Sequence, residues 1–458
     1  MTRAGPGFSM TDDPLLGVIA RVALPIVLSN LLNVTYQLVN ALWIGRLGGG
    51  PVAAIAASAP MFGVLISLGS GLATAGAVLI AQYAGARRRE AVDHVAAQTL
   101  LMVTGVAFAF SLVGLLTARP LLRLIGVDPV IENLTAIYLN VSYVGMAPVF
   151  LFMAIQGMLQ AVGEVRFAFY VMLGSVLLNA ALDPLLIFGI GGWNGWGVAG
   201  AAAATVTAEV AALAMAFGRL LGGKSALHLR RAHFSPDLAH MRRAFGIGLP
   251  ASIEQGTRTF GSLVLMSLAA RFGTDALATY GLGTRVMLFF FVPMLGLSVA
   301  TATVVGQNIG AGRMDRAESA GKLCAWASFG ILTAVGLLLM PLTPAIMTAI
   351  TPTEPALIAK ASRFVYIFAP FLGVFAIPQV LCGVFRGAGS TRQSMGISLT
   401  MQWVFQLPAA WLLALLTPLG VLGVWWSYPV GNALASVLAI GWFFWGPWRR
   451  SLVEPNQP

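Results

Sequence analysis

Long apolar runs without charged residues limit the fold of this chain more than any other feature. Residues 52 to 81, for example, contain no Asp, Glu, Lys or Arg, and roughly 20 apolar residues are enough to span a bilayer as a helix. Charged residues make up only 9% of the 458 residues, against about 25% in soluble domains. None of the runs alternates apolar and polar residues as the strands of a membrane barrel do. The sequence therefore predicts an all-α integral membrane protein that contacts the lipid bilayer.

Charges and Gly/Pro clusters divide the apolar runs into twelve predicted transmembrane helices. Six of them form an N-terminal lobe at 15–218 and six a C-terminal lobe at 244–446, with a basic cytoplasmic linker at 219–243 and tails at 1–14 and 447–458. The predicted spans are 15–44, 52–83, 92–117, 134–160, 167–190, 197–218, 244–270, 276–307, 320–345, 361–385, 393–417 and 420–446.

The basic residues predict how the chain is oriented. Most of the 27 Lys and Arg residues lie in connections on the same side as the N-terminus, and the positive-inside rule assigns that side to the cytoplasm. We therefore expect a multi-pass protein of the plasma membrane, the inner membrane of a bacterium, with both termini cytoplasmic. Because these residues are spread over short loops and form no single patch, nucleic acid is not expected as a partner.

An internal repeat relates the two lobes. Leu24-Pro25 matches Leu249-Pro250 at an offset of 225 residues, and Gln82-x-x-Gly85-Ala86 matches Gln307-x-x-Gly310-Ala311 at the same offset. Similar matches continue along both halves. Because each half has an even number of spans, the two copies enter the membrane in the same sense. The predicted fold class is thus twelve transmembrane helices in two parallel six-helix repeats.

Asp183 is the main candidate for a cation-coupling residue. An ionisable side chain within the bilayer costs at least about 2.5–3.5 kcal/mol, so an acid there is expected to have a function. Asn179 is four residues earlier and shares its helical face, and Pro184 leaves a backbone carbonyl without its donor. This face can take a proton or a small cation such as sodium. The alternative is that Asp183 only pairs with a neighbouring helix.

Polar residues also gather on the first predicted span. Asn33, Tyr36, Gln37 and Asn40 follow the i, i+3, i+4, i+7 spacing of one helical face. Such a stripe faces either a water-filled cavity or other helices, so both substrate binding and interhelical hydrogen bonding are compatible with it.

Four further charged residues lie within predicted spans. Glu254 and Arg258 are four residues apart in the order that favours an intrahelical ion pair, so they either line a substrate cavity or neutralise each other. Arg285 on the next span is a second possible partner of Glu254. Glu209 lies midway along the sixth span, where the second repeat has Asn432, and is a weaker candidate for ion coupling.

The sequence contains no pattern typical of an enzyme. His228, His233 and His240 lie in the basic linker without a Cys or carboxylate cluster at ligand spacing, which predicts a solvated loop and no metal site. Cys324 and Cys382 lie in apolar runs and are interpreted as small buried side chains. We expect no cofactor, only a proton or sodium ion as the coupling ion.

Several motifs resemble those of the multidrug and toxic compound extrusion (MATE) transporters, and the resemblance covers nearly the whole chain. The matching residues are Leu24-Pro25, Gly45-Arg46-Leu47-Gly48, Leu182-Asp183-Pro184, Val305-Gly306-Gln307-Asn308-Ile309-Gly310-Ala311-Gly312, and Phe385-Arg386-Gly387 with Gly389. The resemblance implies two six-helix bundles in a V. It also implies alternating access and export of cationic amphipathic compounds against an inward flow of protons or sodium ions.

The same resemblance implies roles for individual residues. Asp183, Asn179 and Tyr36 resemble the cavity residues of the N-terminal lobe, and Thr205 is a further match. Glu254 resembles a Glu that some members carry on span seven. The sequence departs from many prokaryotic members at Asn40, where they have an Asp, because an amide forms hydrogen bonds but does not titrate.

These features lead to a mechanistic hypothesis with one rival. Asp183 takes up a proton, or binds sodium with oxygen atoms of Asn179 and Asn40, and its occupancy biases the transporter between two conformations. The substrates are expected to be small cationic amphipathic molecules and the protein a monomer. The rival is a flippase for lipid-linked saccharides, which share this fold; it predicts several basic cavity residues for a pyrophosphate, and here only Arg258 and Arg285 qualify.

Overall fold

All regular structure in the described part of the chain is helical. The computed structural model describes residues 9–223, 225–350 and 355–453, so parts of both predicted tails and Lys224 of the linker lie outside the described residues. The helices are α1 Leu15–Gly45, α2 Gly49–Gly85, α3 Arg89–Ile125, α4 Pro129–Val144, α5 Met146–Val162, α6 Val165–Phe188, α7 Val198–Leu221, α8 Leu238–Ala270, α9 Thr274–Gly310, α10 Met314–Ile350, α11 Pro355–Phe368, α12 Leu372–Gly387, α13 Thr391–Leu399, α14 Leu407–Leu415 and α15 Val421–Trp445.

These helices account for the twelve predicted spans. Ten segments of the described chain are long and apolar enough to cross a bilayer; one joins α11 to α12 and another joins α13 to α14 through a π-helical stretch. The pair α4 and α5, bent by 50°, makes an eleventh if it is one span. The 33-residue α8 carries Glu254 and Arg258 and is less apolar than these; it is counted as the twelfth because its Leu249-Pro250 matches Leu24-Pro25 of α1 in the repeat.

The internal repeat is visible in the helix boundaries. Helices α2 and α9 each have 37 residues and begin 225 residues apart, and α3 and α10 have the same length and the same offset. The bend between α4 and α5 corresponds to the short turn Ala369–Phe371 between α11 and α12. The prediction of two copies of one six-span unit is therefore confirmed.

The described residues divide into two compact units. The first contains Leu28–Ser252, and the second contains Ser9–Val27 together with the described part of Ile253–Pro458. Helices α1 and α8 therefore each pass from one unit to the other within their length. The described residues of 219–243 lie in the first unit, and the lobe boundaries given above stay a prediction.

The first half of α1 and residues 9–14 before it pack within the second unit. Ile19 lies in an apolar cluster with Cys324 and Val380, and Asp12 forms an ion pair with Arg313 (Oδ1 to Nη2, 2.7 Å). These contacts attach the start of the chain to α10, α12 and the turn that follows α9.

The segment between α7 and α8 folds along α3 within the first unit. Gln98 Nε2 donates to the carbonyl oxygens of His233 (2.8 Å) and Ser235 (2.6 Å), and the His94 ring lies 6.4 Å from His233 and 5.8 Å from His240, centroid to centroid. Most residues of this segment are exposed, and α3 supplies polar partners for part of its backbone. Within residues 9–223, 225–350 and 355–453, no group of three His, Cys, Asp or Glu side chains is arranged to hold a metal ion.

A close helix crossing joins α2 to the first half of α8. A Cβ atom at Gly71 would lie 2.2 Å from the carbonyl oxygen of Gly248 and 2.2 Å from Ser252 Oγ. Ser252 Oγ also donates to the Leu68 carbonyl oxygen (2.6 Å). Small residues allow membrane helices to approach this closely, so glycine at position 71 sets the separation of α2 and α8.

Gly71→Ala is expected to destabilise the protein by about 1–3 kcal/mol, because the added methyl group overpacks the crossing. The midpoint of thermal unfolding in detergent measures this loss. Gly63→Ala on the same helix is the matched control, since a Cβ atom there would have no neighbour within 4 Å. Equal midpoints for the two variants would contradict the role assigned to Gly71.

Candidate functional site

Residues of α6 and α7 form the buried part of a polar site within the first unit. Asp183 and Asn179 lie one turn apart on α6, with exposed fractions of 0% and 2%. In the amide orientation that satisfies both ends of the Asn179 side chain, its nitrogen donates to Asp183 Oδ2 (2.9 Å) and its oxygen accepts from the Thr205 backbone N–H (3.0 Å). Asn179 therefore links the carboxyl group of α6 to the backbone of α7.

Two residues of α1 complete the site. The Tyr36 hydroxyl lies 2.6 Å from Thr205 Oγ1, and Asn40 Nδ2 donates to the Tyr36 hydroxyl (3.2 Å). The structure therefore joins all five predicted residues of this site in one chain of hydrogen bonds. We refer to Asp183, Asn179, Thr205, Tyr36 and Asn40 as the α1–α6–α7 site.

The site suits a proton or a small monovalent cation. Asp183 is its only acid, and no ion pair among the described residues includes it. A carboxylate without a counter-cation in the membrane is costly, and binding a proton or cation removes that cost. Oδ1 of Asn40 is buried and accepts no hydrogen bond from a described residue, so an acceptor for a cation is present besides the carboxyl oxygens.

Asn33 and Gln37 lie apart from this network of hydrogen bonds. Both are exposed on α1, and Gln37 Nε2 donates to Asn33 Oδ1 (2.8 Å) one turn earlier. The predicted polar stripe thus has two parts: Tyr36 and Asn40 bond within the unit, whereas Asn33 and Gln37 bond to each other and keep further donors and acceptors accessible.

A second polar cluster lies within the second unit and is centred on Glu254. Glu254 is 1% exposed, and its Oε1 accepts from Arg258 Nη2 (3.0 Å) and from Arg386 Nη1 (3.0 Å). Its Oε2 accepts from Ser394 Oγ (2.6 Å), and Arg386 Nη2 also donates to Ser298 Oγ (2.8 Å). The intrahelical ion pair between Glu254 and Arg258, one of the two possibilities given by the sequence, is present. It belongs to a larger buried ionic network that also includes Arg386.

Arg386 and Ser394 were not identified from the sequence as partners of Glu254. Arg386 follows an apolar run, so the sequence alone groups it with the basic residues that orient the chain. It occupies the last turn of α12, and its side chain is only 15% exposed. The sequence does carry a signal, because fourteen uncharged residues precede Arg386 within the helix without a polar loop, which is typical of a buried position.

Arg285 and Glu209 stand outside both clusters. Arg285 is exposed on α9, and among the ion pairs of the described residues Glu254 is shared by Arg258 and Arg386 and not by Arg285. Glu209 on α7 has a buried Oε2 atom that accepts no hydrogen bond from any described residue.

Sequence comparisons identify relatives along nearly the whole chain. The chain is 28% identical over 423 residues to the "probable multidrug resistance protein YoeA" of Bacillus subtilis, covering 92% of this chain and 91% of that protein. It is also 28% identical over 456 residues to the "probable multidrug resistance protein NorM" of Deinococcus radiodurans, covering 97% and 98%.

Solved structures with the same fold are also known. A MATE crystal structure in the bent conformation superposes with a TM-score of 0.88 at 25% identity, covering 96% of both chains. One in the straight conformation superposes with a TM-score of 0.90 at 25% identity, covering 98% of both.

The profile of the MatE family matches two segments of the chain, residues 25–185 and 250–412, which are one match in each repeat. The first segment contains Asp183 and Asn179, and the second contains Glu254 and Arg386. Together the two segments cover more than half of the sequence. The chain therefore belongs to the MatE family of membrane transporters and is a transporter rather than an enzyme.

Proposed function

We propose that this protein is a secondary active multidrug efflux antiporter that exports cationic or amphipathic compounds in exchange for protons or sodium ions by alternating access. The observation that carries this proposal is the α1–α6–α7 site, in which an unpaired membrane carboxyl group is hydrogen-bonded to an amide and, through it, to two further helices. Membrane acids without a partner are typical of ion pathways.

Occupancy of Asp183 gives a physical route to coupling. The ionised carboxylate accepts from Asn179, whereas the protonated or cation-bound group presents a different charge and donor pattern to the same amide. Asn179 also bonds the Thr205 backbone N–H, so the change at Asp183 alters the polar contact between α6 and α7. An ion shifts a conformational equilibrium only by its different affinity for the two states, and Asp183 is the group on which that difference depends.

The proposed substrate class has two supports. The relatives from Bacillus subtilis and Deinococcus radiodurans are described as multidrug resistance proteins. The acid of the α1–α6–α7 site attracts cations, and the exposed amides of Asn33 and Gln37 offer hydrogen bonds that are not specific for one molecule. We propose these two residues, with Tyr36 and Thr205, as substrate contacts of the first unit.

The flippase alternative has less support. A pyrophosphate group needs several free basic side chains, but of the two predicted for it, Arg258 already bonds the Glu254 carboxylate, as does Arg386, and Arg285 alone remains. Glu254 and Arg258 are accordingly proposed to hold the second unit together rather than to bind anionic substrates.

We further propose that the transporter acts as a monomer in the plasma membrane with both termini in the cytoplasm. The distribution of Lys and Arg supports this orientation, and the compared relatives are bacterial proteins.

Transport by the purified full-length protein in liposomes tests the proposed function. Ethidium loaded on the cytoplasmic side should leave against its gradient when a pH gradient or a sodium gradient is imposed, and should equilibrate passively when neither is present. Ethidium efflux equal to that of protein-free liposomes under both gradients would overturn the proposal. Translocation of a lipid-linked saccharide without any dependence on either gradient would favour the flippase.

Tyr36→Phe is expected to slow ethidium export about 2- to 10-fold, because it removes a hydroxyl whose net contribution is about 0.5–1.5 kcal/mol. The initial export rate in liposomes measures the effect. Tyr170→Phe is the matched control, since Tyr170 is 64% exposed on α6. If Tyr36→Phe and Tyr170→Phe export ethidium at the same rate, the Tyr36 hydroxyl is not a substrate contact.

A further inference from the structure

Glu209 is a membrane acid that the α1–α6–α7 site does not use. It lies on α7 four residues after Thr205, so the two side chains are on the same helical face one turn apart. Its Oε2 atom is buried and accepts no hydrogen bond from a described residue. Among the described residues, no ion pair includes Glu209 either.

The helices packed against α7 offer no cation to neutralise Glu209. These helices are α4, α5 and α6, and α5 has no ionisable residue. On α6, Arg166 is exposed. On α7 itself, Arg219 is paired with Glu164 (2.9 Å). The remaining ionisable groups of these helices and of the adjoining part of α1 are neutral tyrosines or acids: Tyr36, Glu132, Tyr138, Tyr143, Tyr170 and Asp183.

An unpaired carboxylate in this position is unstable while the surroundings are dry. Removing a charge from water costs several kcal/mol unless a partner repays it, and here no basic residue does so. The neutral, protonated carboxyl group avoids that cost, and the proton is released when water reaches the group. The Oε2 atom of Glu209 is buried, but the residue as a whole is only partly buried. Glu209 is therefore suited to exchange a proton with water when the unit changes conformation.

We propose that Glu209 is a second proton carrier of the first unit, so that each transport cycle exchanges one substrate cation for two protons, one at Asp183 and one at Glu209. This inference rests on the proposed antiport function and selects the proton as the coupling ion. A hydronium ion outside gives up a proton, which forms an O–H bond on the Glu209 carboxylate; that bond breaks again when the proton passes to water on the cytoplasmic side, so the carboxylate is restored at the end of each cycle.

Thermodynamic coupling in liposomes tests this stoichiometry. The full-length protein is reconstituted with the membrane potential clamped to zero, and the steady-state ethidium ratio is measured at several imposed pH gradients. One coupled proton supports about a tenfold ethidium ratio per pH unit and two support about a hundredfold. We expect about a hundredfold for the wild type and about tenfold for Glu209→Gln, which keeps the size of the side chain but cannot carry a proton.

Glu132→Gln is the matched control, because Glu132 already has a basic partner, the 68% exposed Arg123 of the same unit, and should leave the wild-type dependence intact. A hundredfold ratio per pH unit in Glu209→Gln, or a tenfold ratio in the wild type, would overturn the second carrier while leaving proton antiport in place. No dependence on pH in the wild type would instead contradict proton antiport itself.

Proton release gives an independent measurement if Glu209→Gln does not purify as a folded protein. Ethidium is added to the wild-type protein in weakly buffered detergent solution, and the released protons are counted with a pH indicator. Release approaching two protons per bound ethidium supports the proposal. Release of one proton or fewer overturns it.

Discussion

Replacing Asp183 with Asn is expected to reduce gradient-driven export well below the wild-type rate, because only the proposed proton carrier Glu209 then remains. Asn has nearly the same shape and still bonds Asn179, but it carries no charge and takes up no proton. Both conformations of the transporter then have the same affinity for the coupling ion at this position, and a ligand with equal affinity for two states shifts neither. The measurement is ethidium export under imposed pH and sodium gradients.

The controls for Asp183→Asn separate lost coupling from lost folding. Asp275→Asn makes the same substitution at a side chain that is 74% exposed, and it should export at the wild-type rate. The thermal unfolding midpoint of Asp183→Asn should not fall below that of the wild type, since the substitution removes a buried unpaired acid. Undiminished gradient-driven export by a folded Asp183→Asn protein would exclude Asp183 as the coupling residue.

Arg386→Met is expected to cost about 1.5–3 kcal/mol of stability, because it removes the buried charge-assisted hydrogen bonds to Glu254 Oε1 and Ser298 Oγ. Glu254 would keep Arg258 as its only basic partner, and the Arg258 side chain is 22% exposed, so part of its charge is screened by solvent. The midpoint of unfolding in SDS measures the loss.

A triple substitution tests whether the charge of Glu254 causes that loss. Glu254→Gln combined with Arg258→Met and Arg386→Met removes all three charges of the cluster, and the triple variant should be more stable than Arg386→Met alone. Arg313→Met interrupts the exposed ion pair with Asp12 and should cost only about 0–1 kcal/mol. If the single and triple variants unfold at the same midpoint, the charge of Glu254 is not what Arg386 stabilises.

The spans and the repeat could be predicted from the sequence because their signals are local and periodic. Helix length follows from the length of each apolar run, and the constant offset of 225 residues reappears in the starts of α2 and α9. The contacts between the linker and α3 could not be predicted, since Gln98 is 135 and 137 residues away in sequence from His233 and Ser235, whose carbonyl oxygens it binds.

The two polar clusters differ in how many of their contacts join residues that are close in sequence. Asn179 and Asp183, like Tyr36 and Asn40, are i, i+4 pairs, so spacing alone places each pair on one helical face. The bond between Tyr36 and Thr205 spans 169 residues, and the resemblance to MATE transporters, not spacing, suggested Thr205. In the second unit, Arg386 is 132 residues from Glu254, and no periodicity relates them.

The passage of α1 and α8 from one compact unit to the other constrains the order of assembly during synthesis. The segment Ser9–Val27 leaves the ribosome long before its packing partners Cys324 and Val380, which belong to the second unit. A chain cut within the linker would therefore separate Ser9–Val27 from the unit it completes and leave a gap there. The N-terminal segment must stay in the membrane or at its surface without these contacts until translation is nearly finished, so the second unit closes only after the whole protein has been made.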